Sequence, residues 1–208
     1  MMENYYEAAA ELGRAIGLNS HDYVSHSYLG DVYYMKGNYE LAKIEYEQAL
    51  KLADSGNNSI WMAEASTSLG YITLKQHKWD VANGHFNDAL HRDPKSHYTH
   101  FGRGLLFTLK EPEKAEADCN KALKLCNGTS PLERMERVIY KVALGVPGRV
   151  DEMNSIIREH PPIGMMDAAL DDANLLVAFK INLAESQKVR DMLVKAIEEA
   201  RNQPARQE

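Results

Sequence analysis

Eight histidines and two cysteines are the side chains of this 208-residue chain best suited to hold a metal or attack a bond. His97 and His100 stand at i, i+3, which puts both imidazoles on one face of a helix, a spacing that can share a metal. No carboxylate or thiol at a matching spacing completes a ligand set. Asp93 falls in the turn before that helix, and His77, His85 and His91 lie earlier. The histidines therefore read as groove or surface side chains, and no metal is expected. Cys119 and Cys126 are seven residues apart on one predicted helix. They share a face but sit about 10 Å apart at the rise of an α-helix, too far for a disulfide. Cys119 reads as a small core residue, and a reducing, cytoplasmic setting is the simplest one for two thiols.

Other chemistry is missing from the pattern. There is no Gly-rich phosphate loop, no nucleophile elbow and no His-Glu-x-x-His. Asp171-Asp172 and Glu198-Glu199 are adjacent pairs whose side chains diverge on a helix, so they read as solvated faces. Neither catalysis nor a cofactor is expected.

The elements that would position these groups repeat. Tyr5-x-x-Ala8-x-x-x-Leu12-x-x-Ala15-Ile16, Tyr39-x-x-Ala42-x-x-x-Tyr46-x-x-Ala49-Leu50 and Trp79-x-x-Ala82-x-x-x-Phe86-x-x-Ala89-Leu90 superimpose position by position. Ala8 to Ala42 is 34 residues, as is Ala15 to Ala49. Between Tyr23 and Asp54 the full unit is visible: a helix with Leu29-Gly30-x-x-Tyr33, a turn at Lys36-Gly37-Asn38, and a second helix. The following unit carries Leu69-Gly70 and ends at Pro94. Its Ala82 lies 40 residues beyond Ala42, so about six extra residues near Gly56-Asn57-Asn58-Ser59 are expected to lengthen the connection. A third unit has Gly104, Phe107, Ala115, Cys119, Ala122 and Leu123, with a turn at Lys110-Glu111-Pro112-Glu113. Small residues let helix axes approach, and large ones fill the gap between hairpins.

These residues resemble the tetratricopeptide repeat, a 34-residue helix–turn–helix unit. The resemblance implies an all-α, right-handed superhelical α-solenoid of antiparallel helix pairs. The expected organisation is a half-repeat at 1–22, repeats at 23–56, 57–96 (with the lengthened connection) and 97–129, a degenerate hairpin at 130–162, a C-terminal hairpin at 163–202 and a polar, frayed tail at 203–208. The half-repeat reads as a truncated start or as a natural cap, the former being preferred.

Beyond Leu125 the signature fades. Ser130-Pro131-Leu132-Glu133 predicts a capped helix start, with Met135, Val138, Ile139 and Val142 on one stripe. Val146-Pro147-Gly148 breaks that helix, and His160-Pro161-Pro162 ends its partner.

Composition narrows the partners. A net charge of −6 without a basic patch argues against nucleic acid, and no apolar run reaches the length of a membrane span. The family's first helices line a concave groove for peptides or partner helices. By that resemblance the lining would be Val24, Ser27, Asp31, Tyr34 and Met35, then Glu64, Thr67, Tyr71 and Lys75, then Tyr98, Phe101, Leu105 and Thr108. One subset of the family grips a chaperone's C-terminal carboxylate with a Lys/Asn/Arg clamp. Ser27, Asp31 and Thr67-Ser68 stand at those places here, so that partner is not expected. The expectation is a non-catalytic scaffold binding another protein's peptide or helix. Homo-oligomerisation through the array ends, or a regulatory role in a larger protein, are the alternatives.

Overall fold

A computed structural model describes residues 2–108 and 111–202, with side chains from Tyr5 onward. The expected tail at 203–208 and Lys110 of the third turn lie outside the described residues. Those residues form eleven helices and no strand: α1 (Met2–Leu18), α2 (Tyr23–Met35), α3 (Tyr39–Ser55), α4 (Ser59–Lys75), α5 (Trp79–Arg92), α6 (His97–Thr108), α7 (Pro112–Leu125), α8 (Pro131–Ala143), α9 (Arg149–Ile157), α10 (Ile163–Ala178) and α11 (Leu183–Asn202). The fold class is the all-α stack of helix hairpins that the repeat implied. Two compact units divide it, Met1–Gly102 and Arg103–Glu208.

In the first unit, helix boundaries follow from local chemistry. The Asp22 carboxylate accepts from Val24 N at 3.1 Å and from the Ser25 hydroxyl at 2.6 Å, capping α2. Asn38 and Asn58 cap α3 and α4 by accepting from Leu41 N and Trp61 N. The turns before α3, α4 and α5 each reverse through a left-handed residue: Gly37 at φ 73°, Asn57 at φ 52° and His77 at φ 58°. The Lys36-Gly37-Asn38 turn is as the sequence predicts. The extra residues of the second unit are not. The α3–α4 connection is only Gly56–Asn58, and the added length is helical, since α3 and α4 have 17 residues each while α2 has 13 and α5 has 14. With Asn58 able to cap and Asn57 able to take the left-handed conformation, three residues suffice to turn.

Packing then follows the small–large code. A Cβ on Gly30 would lie 2.6 Å from the Tyr46 ring, and one on Gly70 would lie 2.5 Å from the Phe86 ring. A Cβ on Gly102 would meet the rings of Phe86 and Tyr71 at 2.8 and 2.9 Å. Each second-helix aromatic thus seats on a bare stretch of backbone, flanked by Ala42, Ala49, Ala82 and Ala89, none more than 1% exposed.

The second unit opens with the same device in miniature. The Cys119 sulfur would lie 2.7 Å from a Cβ on Gly104, and Arg103 grips Asp118 through two hydrogen bonds of 2.7 and 2.9 Å. Cys119 is 2% exposed, as its place in the repeat predicts. Beyond α7 a different logic holds. The expected N-cap at Ser130, with Pro131 at the first helical position, is present, and Glu133 completes it as a capping box. Met135, Val138, Ile139 and Val142 are fully buried where α8 packs on α9 and α10. Val189, Leu193 and Ile197 of α11 bury against α9 and α10. The Glu185 carboxylate accepts from the N–H groups of Arg149 and Val150 at 2.9 and 3.3 Å, so α11 caps α9.

Candidate functional site

The sequence-predicted lining residues divide by depth. On α2, Val24, Asp31 and Tyr34 are half-buried and Met35 is exposed, whereas Ser27 is buried. On α4, Glu64 is exposed and Lys75 half-buried, while Thr67 and Tyr71 are buried. On α6, Tyr98 and Thr108 are half-buried, and Phe101 and Leu105 have no exposed surface. Ser27, Thr67, Tyr71, Phe101 and Leu105 thus offer little or nothing to a ligand. They share a helical period with the exposed residues but fall on the arc the neighbouring helix covers.

Their contacts show what they do instead. The Tyr71 ring stacks on Tyr98 at 4.4 Å and meets the Phe86 edge at 5.5 Å. Its hydroxyl donates to the Tyr98 carbonyl at 2.9 Å. Thr67 and Thr99 share a hydrogen bond of 2.7 Å. These contacts join α4 to the start of α6. His100 Nε2 donates to the Pro94 carbonyl at 3.2 Å, so this ring bridges the turn before its own helix.

The accessible residues fall into two groups on α2 and α4. At the C-terminal ends, Lys75 Nζ lies 4.7 Å above the Tyr34 ring and 5.4 Å above Tyr39, and the two tyrosines meet edge to face at 5.5 Å. One turn before Tyr34 on α2 stands Asp31, within electrostatic reach of Glu64 on α4. Asp31 accepts the Tyr46 hydroxyl hydrogen bond at 2.7 Å. Burial raises the pKa of the Asp31 carboxyl, partly offset by that hydrogen bond. Burial, and then the charge of Asp31, raises that of Glu64. Tyr46 itself is pushed well up, by burial first and by Asp31 second.

Residues outside the predicted set complete this surface. Tyr28 is 49% exposed and Ile60 70% exposed, with the Trp61 ring 6.0 Å from Tyr28 in edge contact and 5.9 Å from Tyr23. The available signal was spacing: Tyr28 is three residues before Asp31, and Ile60 is four before Glu64, so each pair shares a face.

In the second unit a cleft of about 240 Å³ is lined by Thr108, Pro112, Ala115, Glu116, Cys119, Ala143 and Leu144. Burial pushes the Cys119 thiol up to about 12, with Asp118 adding to the shift. Burial likewise raises Cys126 to about 11. Both are protonated near neutrality and lack the thiolate a nucleophile needs.

Family models described as tetratricopeptide repeat match residues 23–95 and 67–129, together just over half of the chain. The chain belongs to the tetratricopeptide-repeat family. No curated protein matches it. Among solved structures it is similar to YrrB, described as a TPR protein with an unusual peptide-binding site, at 18% identity and a TM-score of 0.50, over 94% of this chain and 100% of that one. It is also similar to BtubC from P. vanneervenii, at 12% identity and a TM-score of 0.52, over 99% of this chain and 93% of that one. At these identities the likeness speaks for the fold. No helix among the described residues is long and apolar enough to cross a membrane.

Proposed function

We propose that this protein is a non-catalytic scaffold that binds a peptide or helix of another protein on the first-helix face of α2 and α4. The observation that supports this most directly is the row of accessible side chains on those helices: Asp31, Tyr34 and Met35 beside Glu64 and Lys75. They sit on a backbone held rigid by the glycine–aromatic contacts beneath, and preorganised surfaces bind at lower entropic cost. Tyr98 flanks the row from α6. Membership of a family of interaction modules, and a fold-level likeness to a protein described as having a peptide-binding site, agree with this reading. The same reading places the protein in the cytoplasm, where Cys119 and Cys126 remain thiols.

Panning a random peptide library against the chain, followed by fluorescence titration of the enriched sequences, tests it. Enriched peptides are expected to bind the wild type and to lose roughly tenfold in affinity to a Met35→Glu/Lys75→Glu variant. Absence of enrichment, or equal binding by a variant of unchanged helicity, overturns the reading. Light scattering over a concentration range checks the alternative, a chain that assembles with itself.

A further inference from the structure

The exposed aromatic surface at the N-terminal ends of α2 and α4 has a composition that selects its occupant. Tyr28 and Ile60 are among the most exposed large apolar side chains of the chain, at 49% and 70%. Trp61 holds Tyr28 edge-on at 6.0 Å and also packs against Tyr23 at 5.9 Å. Tyr23 is itself anchored, its hydroxyl accepting from Asn58 Nδ2 at 3.0 Å. The patch is therefore a rigid apolar shelf crossing from one repeat to the next, the kind of anchor on which interface energy concentrates.

Acidic side chains border this shelf toward the C-terminal end of each helix. One turn along α2 from Tyr28 stands Asp31, and one turn along α4 from Trp61 stands Glu64. Glu64 makes no hydrogen bond or ion pair among the described residues, and its electrostatic neighbour is another acid, Asp31. Asp31 takes a hydrogen bond from neutral Tyr46. The nearest cation on α4 is Lys75, 11 residues and about 16 Å further along the helix, where it lies over Tyr34. Two carboxylates thus meet across a helix–helix seam without a counter-charge, next to exposed rings whose faces attract cations.

We infer that the Tyr28–Ile60–Trp61 shelf docks a segment of another protein in which a lysine or arginine adjoins an apolar residue, the apolar side chain lying on the shelf and the cation reaching Glu64 and Asp31. This rests on the peptide-binding reading above and names the chemistry of the partner. An ammonium or guanidinium carries only donors and matches the acceptor-only seam. Its methylene stem lies along the rings while the head reaches the acids. An acidic or neutral segment would leave Glu64 uncompensated on binding, which is how charge complementarity rejects partners.

Three labelled nine-residue peptides test the inference: one with a central Leu-Lys-Leu, one with norleucine for the lysine and one with glutamate. Binding is followed at low salt by anisotropy and by tryptophan quenching. The lysine peptide is expected to bind roughly tenfold tighter than the norleucine one, the scale of a charge-assisted contact. Glu64→Gln should abolish that preference, Glu64→Lys should invert it toward the glutamate peptide, and Tyr28→Ala should weaken the lysine and norleucine peptides alike. Equal binding of the three peptides, or a lysine preference that survives Glu64→Gln, overturns the inference. If the three fail to bind while panned peptides do bind, this inference falls and the broader reading stands; if no peptide binds, both fall. A dimer of the chain that Tyr28→Ala dissolves would assign the shelf to a second copy and also overturn the proposal.

Discussion

Residues 23–102 and residues 130–202 solve one problem, helix-on-helix packing, with different parts. The first region uses interlocking shape: Gly30 faces Tyr46, and Gly70 and Gly102 face Phe86, so backbone and ring meet at van der Waals distance. The second has no such register. It uses a broad apolar stripe on α8 and polar groups that reach between elements. Arg137 Nη1 donates to the Leu123 carbonyl at 2.8 Å and to that of Cys126, closing the end of α7. Lys141 of α8 reaches Glu152 of α9 at 2.7 Å, and Arg134 of α8 pairs with Glu159 beyond α9. Shape complementarity repeats wherever the motif repeats, whereas the polar clasps are particular to their positions. That explains why the period is visible in one half and dissolves in the other.

The contrast can be broken by substitution, with denaturant titration as the readout. Phe86→Ala should cost most, about 3–5 kcal/mol, because the ring fills the space between two bare helices. Gly70→Ala follows at about 1–3 kcal/mol, a Cβ having no room against the buried Phe86 ring. Helix propensity alone predicts the opposite sign, a gain of about 1 kcal/mol. A stabilised Gly70→Ala would show that the ring yields and that the glycine register is not structural.

In the second region, Glu136 is buried on α8, and burial, reinforced by Glu133, lifts its carboxyl to about 7. A carboxyl whose folded pKa exceeds its unfolded value favours the folded state while protonated. That contribution is complete below the unfolded value of 4.5 and is lost as pH rises through about 7. Glu136→Gln should therefore flatten the fall in stability between pH 5 and pH 8 by on the order of 1–2 kcal/mol. An unchanged pH profile would remove Glu136 as its cause. Ser130→Ala should cost about 1 kcal/mol by opening the capping box. The smallest effect has the reverse sign. Gly84 lies exposed in α5 with nothing near its missing Cβ, so Gly84→Ala should stabilise by about 0.5–1 kcal/mol.

Much of this was legible in the chain. The Ala42/Tyr46/Ala49 and Ala82/Phe86/Ala89 sets report their own burial, because a helix face repeats every three to four residues and the unit repeats beyond it. The Ser130–Glu133 box and the αL turn at Gly37 are local devices, readable without knowing any partner. The six extra residues were visible as a number but not as a place. Helix and loop are both compatible with that count, and the cap at Asn58 decided for helix.

The candidate surface was legible only in part. Tyr34, Met35, Glu64 and Lys75 reach solvent, but Ser27, Thr67, Tyr71, Phe101 and Leu105, with the same spacing, are buried. On a first helix the arc left to solvent and the arc under the next first helix adjoin, about a residue apart in angle. Periodicity assigns a residue to that broad face, yet the crossing of the following helix decides which arc is covered. The sequence by itself determined the helices, their turns and the pairing of glycine with aromatic ring, since these depend on neighbours within a turn or a repeat. Only the tertiary structure decided that Tyr71 joins α4 to α6 while Tyr28, Ile60 and Trp61 stay at the surface beside Asp31 and Glu64, because that depends on where a distant helix comes to lie.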